Sequence, residues 1–177
     1  MDSFFELISK RQSCRSYSGQ KVEREKLEKC IDAARLAPSA CNSQPWSFTA
    51  VCSEELAPKV AKCLQEMGMN KFTDACPAFI IITEETATLS ARFGGKVKNQ
   101  EYAPIDIGLA TAQLCLAATE QGLSTCIIGW FNESALKDLL GIPKAKRIRL
   151  VIAVGYAAEE ELRQKNRKKL EDITRFM

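Results

Sequence analysis

The chain has no histidine, which removes histidine-based catalytic triads, histidine general bases and haem ligation from consideration. No two of its eight cysteines form a C-x-x-C pair, so zinc sites of the usual kinds are not expected and no metal is assigned. The G-x-G-x-x-G fingerprint of a Rossmann dinucleotide site is also missing. Charge is nearly balanced: 25 Lys and Arg against 22 Asp and Glu leave a net +3, with none of the excess expected of a nucleic-acid-binding surface. No charged-apolar-small leader opens "MDSFFELISKRQSCRSYSG", so the cysteines read as reduced thiols of a cytoplasmic protein rather than a secreted disulfide framework. The most apolar stretch, "IDIGLATAQLCLAATEQGLS", is interrupted by Asp106, Gln113, Glu120 and Gln121. At the lower limit of the ~20 apolar residues a membrane span needs, it reads as a buried core helix.

A single domain over residues 1–177 is expected, long enough to bury a core without disulfides or a structural metal. In "SFFELISKR", Phe4, Leu7 and Ile8 share one face, and Ser3 with Glu6 three residues on reads as a capping box. "VEREKLEKCIDAARLAP" sets Leu27, Cys30, Ile31, Ala34 and Leu36 at helical spacing and stops at Pro38. "SFTAVCS" reads as a strand, "EELAPKVAKCLQEMG" as a helix with Pro58 in its first turn, and "PAFIIIT" as a central strand covered on both faces. Residues 84–104 show no clear period and carry Gly94 and Gly95, so a mobile segment is expected there. "TCIIGWF" reads as a strand ending at Gly129, "NESALKDLLGIP" as a helix capped by Asn132 and Gly141, and "RIRLVIAVGYA" as a further strand. In the charged tail 159–177, Leu170, Ile173 and Phe176 recur every three residues. Such residues are wasted in water, so the tail reads as an arm packing on a partner chain, or else folding back on its own.

The segment "LAPSACNSQPW", residues 36–46, is too long for a simple turn. Pro38 and Pro45 bias their predecessors away from helix, and Ser39, Asn42, Ser43 and Gln44 offer hydroxyls and amides without charge. That chemistry suits a neutral, planar, hydrogen-bonding ligand.

In order along the chain, "RQSCRSY", "APSACNSQPW", "GLSTCIIGW" and "RQKNRKKLEDI" resemble the nitroreductase family of flavoproteins. The resemblance implies an α+β fold, with a mainly antiparallel or mixed sheet flanked by helices, in an intertwined homodimer holding FMN at its interface. By position, Arg11, Ser13, Lys165 and Arg167 would meet the flavin phosphate, whose charge suits arginine forks and hydroxyls, with Gln12 also among the cofactor-binding residues. Arg15 would face the pyrimidine edge, where a fixed cation favours the reduced ring. Pro38, Ser39, Ala40 and Asn42 would come from the other subunit, Ala40 replacing a serine common in relatives. Ile127, Ile128, Gly129 and Trp130 would run past the reactive nitrogen, with the Trp130 amide as its donor and Gly129 standing where some members carry an acid. Either Asn70 or Lys71 would contact the pyrimidine carbonyls, while Gln44 and Trp46 would serve the loop and core.

The implied activity is a ping-pong oxidoreductase in which NAD(P)H and then a flat acceptor, a nitroaromatic or quinone, stack in turn on one face, with Arg15, Gly129 and Trp130 at the reacting edge. Specialised relatives oxidise peptide heterocycles, dehalogenate iodotyrosine or fragment flavin. A thiol-based redox sensor using Cys14 and Cys41, with Arg15 lowering the Cys14 pKa, is a reading from a different class. A non-enzymatic FMN carrier is another, told apart by whether NAD(P)H bleaches the bound cofactor.

Overall fold

The computed structural model describes residues 3–159 and 161–177. Four strands form one sheet in the order β1-β2-β4-β3, and every ladder is antiparallel. They are β1 (Trp46–Val51), β2 (Ala78–Glu84), β3 (Ser124–Ile128) and β4 (Arg147–Gly155). The continuous apolar run of β2 is explained by its central place. Ile80 and Ile82 point into one core and Phe79 and Ile81 into the other, the alternation a pleated strand imposes.

Helices α2 (Arg24–Arg35) and α5 (Tyr102–Glu120) cover the first face through Leu27, Cys30, Ala34, Ile107, Ala110 and Leu114. Helices α3 (Ala57–Leu64) and α6 (Glu133–Leu140) cover the second through Val60, Leu64 and Leu136. Local signals act as expected: Pro58 lies in the first turn of α3, the Asn132 side chain caps α6, and Gly141 ends it in the left-handed region at φ 65°. At α1 (Phe4–Lys10), Ser3 and Glu6 exchange both capping-box bonds.

Three expectations are corrected. Residues 84–104 are not without regular structure: α4 (Leu89–Lys98) forms, capped by the Thr88 hydroxyl and ended by Asn99 at φ 51°. Its Leu89, Phe93 and Val97 recur every four residues but face outward, so the helical period does not mark a buried side. Leu36 lies past the end of α2 and is exposed, not part of its buried face. The tail residues Leu170, Ile173 and Phe176 do not fold back onto the chain, with Leu170 and Ile173 bounding the short α7 (Leu170–Ile173); all three are exposed, as are Phe4 and Phe5 of α1 and Ile105 and Leu109 on the outer side of α5. Among the described residues no helix is long and apolar enough to cross a membrane.

Candidate functional site

The N-terminal segment after α1 is stitched to the outer edge of the sheet. Ser13 bridges Thr125 in parallel, the Cys14 N–H donates to the Thr125 carbonyl at 2.8 Å, and Tyr17 bridges Ala157. Tyr17 is buried, and its hydroxyl donates to the Ala153 carbonyl at 3.2 Å. A Cβ at Gly155 would stand 2.9 Å from the Tyr17 ring and 2.8 Å from Pro77, so only glycine admits this docking. The segment that carries Arg11 to Arg15 is thereby fixed along the start of β3.

The tail crosses over it. Gln12 donates to the Glu161 carbonyl at 3.0 Å and accepts from the Arg163 N–H at 3.2 Å, and the Arg163 guanidinium donates to the Ser13 carbonyl. Lys165 donates to the Ile8 carbonyl at 2.7 Å and also to that of Ser9. Between segment and tail lies a cleft of about 330 Å³ whose walls bring together Arg11, Arg15, Arg163, Lys165 and Arg167, with Gln12 and Ser13, and, among the described residues, no carboxylate. Desolvation, then the charges of Arg11 and Arg167, push the Lys165 pKa below its ordinary value. Cations crowded in this way fit a phosphate. Arg163 is a member of this set that the sequence reading did not single out, although it opens the same basic run as Lys165 and Arg167.

Beyond the Thr125 bridge, β3 runs on as the sheet's edge. Ile127 is 44% exposed and Trp130 53% exposed, while Ile128 is buried in the core. A Cβ at Gly129 would meet nothing within 4 Å, so the position leaves open space beside this edge. Trp130 is held by Asn70, whose side-chain amide donates to the Trp130 carbonyl at 3.0 Å and to the Leu64 carbonyl at 3.0 Å. Both amide hydrogens of Asn70 are thus committed within the protein, which leaves only its oxygen for a ligand. Lys71 is exposed beside it.

The loop before β1 is built as a strained turn. Cys41, Asn42 and Gln44 have φ of 51°, 49° and 45°, a left-handed conformation that asparagine tolerates but that is costly for Cys41 and Gln44 unless the surroundings impose it. Those surroundings are visible: the Ala40 N–H donates to the buried Asp106 carboxylate at 3.1 Å, the Gln44 N–H to the Ser39 hydroxyl at 2.9 Å, and the Gln44 amide to Asn42. Asp106, which in the sequence only interrupts an apolar helix, is the anchor of this loop. Trp46 is buried in the core. Pro38 and Asn42 are exposed, and Ser39 and Ala40 half-buried.

The chain does not bring the loop and the cationic cleft together. The loop enters β1 at Trp46, which pairs with Glu84 and through it Arg147, whereas Thr125 beside the cleft pairs with Val154. The seven steps of β4 between these rungs amount to about 23 Å at ~3.3 Å per residue.

Cys14, the sensor candidate, is buried, and its side chain donates to the Ser16 carbonyl at 3.1 Å. Burial pushes Cys76 up to about 12 and raises Cys126 as well, the latter opposed by Arg15, so both are held as thiols. Of the cysteines, Cys41 is exposed, Cys52 and Cys63 are half-buried and the rest are buried.

The model of the nitroreductase family matches residues 8–156. A candidate NAD(P)H nitroreductase of Streptococcus pyogenes serotype M6 is 31% identical, over 89% of this chain and 91% of its own length. Iodotyrosine deiodinase 1 of Mus musculus is 28% identical over 89% of this chain, which spans 63% of that protein. The solved FMN-dependent nitroreductase of Clostridium difficile R20291 superimposes with a TM-score of 0.78 at 25% identity, covering 98% of each chain.

Proposed function

The chain belongs to the nitroreductase family, and we propose that it is an FMN-dependent oxidoreductase that uses NAD(P)H to reduce flat acceptors such as nitroaromatics and quinones in a ping-pong cycle, as a homodimer. The cleft that gathers five cations carries this reading. Arg11, Arg163, Lys165 and Arg167 hold the FMN phosphate there by charge-assisted bonds, with Gln12 and Ser13 lining the same wall. Arg15 sets a fixed cation at the pyrimidine edge. FMN, when bound, supplies the hydride-carrying ring, so the protein's part is position and electrostatics and no histidine is required. Ile127 on the edge strand, with Gly129 and the Trp130 amide just past its end, forms the wall beside the reacting face.

The loop Pro38–Asn42 belongs to this site only if a second copy supplies it, because in one chain it stands some 20 Å or more from the cleft. The exposed apolar residues Ile105 and Leu109 on α5, with Leu170, Ile173 and Phe176 at the end of the 159–177 arm, offer that second copy a surface to bury.

The test is purification with FMN: a yellow dimer near one FMN per chain, bleached anaerobically by NADH or NADPH and recoloured by a nitroaromatic or quinone. Colourless protein that cannot be reconstituted refutes the reading, and a yellow protein that neither donor bleaches is an FMN carrier instead. Similarity to the deiodinase makes reductive dehalogenation the second reading. Iodotyrosine recolouring the bleached sample, where nitroaromatics fail, would favour it.

A further inference from the structure

A second and larger cleft, of about 680 Å³, opens between α4 and the start of α5, a volume typical of small-molecule sites. Glu84 at the end of β2 and Glu85 after it, Arg149 of β4, Arg92 and Lys96 of α4, and Glu101 line it. Most of this charge is already neutralised. Arg149 pairs with Glu84, Lys146 binds Glu85 at 2.5 Å, and Glu101 stands at the N-cap of α5, where the helix dipole favours a carboxylate. Arg92 and Lys96 are different: one turn apart, both exposed, they make no ion pair among the described residues.

The segment 85–88 on the cleft's side is tied to the loop before β1. The Glu85 N–H donates to the Pro45 carbonyl at 3.1 Å, and the Thr88 N–H, at the cap of α4, to the Ser43 hydroxyl at 2.9 Å. If that loop lies on the partner's FMN, the cleft flanks the face where a dihydronicotinamide must stack. The chain has no G-x-G-x-x-G turn to cradle a pyrophosphate on backbone N–H groups, so side chains must meet it.

We propose that Arg92 and Lys96 bind the phosphate groups of the NAD(P)H donor. This rests on the dimeric flavin site described above. The double variant Arg92→Ala/Lys96→Ala changes two exposed side chains and leaves the fold and the FMN cleft intact. With the FMN-loaded enzyme, the KM for NADH or NADPH should rise about tenfold or more, the effect of losing even one charge-assisted bond. The kcat, and the KM for 1-benzyl-1,4-dihydronicotinamide, which has no phosphate, should not move. Calorimetric titration with inorganic pyrophosphate should give binding to the parent holoenzyme and none to the variant. An unchanged KM for NAD(P)H, an equal loss with the phosphate-free donor, or pyrophosphate binding retained in the variant overturns the proposal. A parent enzyme that neither class of donor reduces refutes the flavin-site reading itself, and this proposal with it.

Discussion

The side chain of Asn70 ties the end of α3 to the end of the edge strand by donating to the Leu64 and Trp130 carbonyls, each at 3.0 Å. Two carbonyl partners require two donors, so the amide nitrogen must face them. Asn70 also sits at φ 53°, where asparagine is among the residues best tolerated. Asn70→Asp keeps the shape but turns an acceptor on both carbonyls. It should destabilise the fold by about 1–3 kcal/mol in urea unfolding and shift the visible spectrum of bound FMN as Trp130 moves. An aspartate variant as stable as the parent would mean the tie holds nothing.

Arg11→Ala, Arg163→Ala and Arg167→Ala should each weaken FMN retention by about 1.5–3 kcal/mol, roughly 10- to 150-fold in Kd, through loss of a charge-assisted bond. Flavin fluorescence titration reads this directly. Unchanged affinity in all three variants would empty the cleft of its assigned ligand.

Arg15→Gln should leave FMN bound and lower its midpoint potential, because a cation at the pyrimidine edge favours the reduced, more negative form. A differential interaction of about 1–2 kcal/mol corresponds to a fall on the order of 20–45 mV for a two-electron couple. Anaerobic titration against a reference dye measures it, and an unmoved potential returns Arg15 to the surface.

The Lys146 ammonium, then the Ser47 hydroxyl, hold the Glu85 carboxyl below its ordinary pKa. A depressed carboxylate contributes stability that is fully present above its unfolded pKa and is lost as pH falls through the folded value. Lys146→Met should therefore cost under about 1 kcal/mol at neutral pH, the pair being partly exposed, and the gap to the parent should close below about pH 4. A difference that persists at pH 3 would assign the loss to packing of the lysine stem.

Much of the fold is legible where a residue acts on its own neighbourhood. Ser3 and Glu6 announce α1, Asn132 and Gly141 bracket α6, and the unbroken apolar run of β2 places it between two layers. The sequence is silent where the partner is distant along the chain. Leu89, Phe93 and Val97 carry a helical period that no burial makes visible, and Asp106 looks like a flaw in an apolar helix until the Ala40 N–H is found opposite it. Arg11, Ser13, Lys165 and Arg167 meet in one cleft as their order suggests, but Arg163 joins them through the Ser13 carbonyl, a contact 150 residues away in sequence. The distance between the loop and that cleft depends on sheet order, which no local pattern encodes.

That separation bears on inheritance. In a homodimer built this way, every site takes its cleft from one chain and its loop from the other. A chain defective at Arg11 and a chain defective at Asn42 would then combine into a mixed dimer with one site carrying both lesions and one carrying neither. Two alleles, each null alone, would complement one another to about a quarter of wild-type activity when half of the dimers are mixed, whereas two alleles both altered in the cleft would restore nothing.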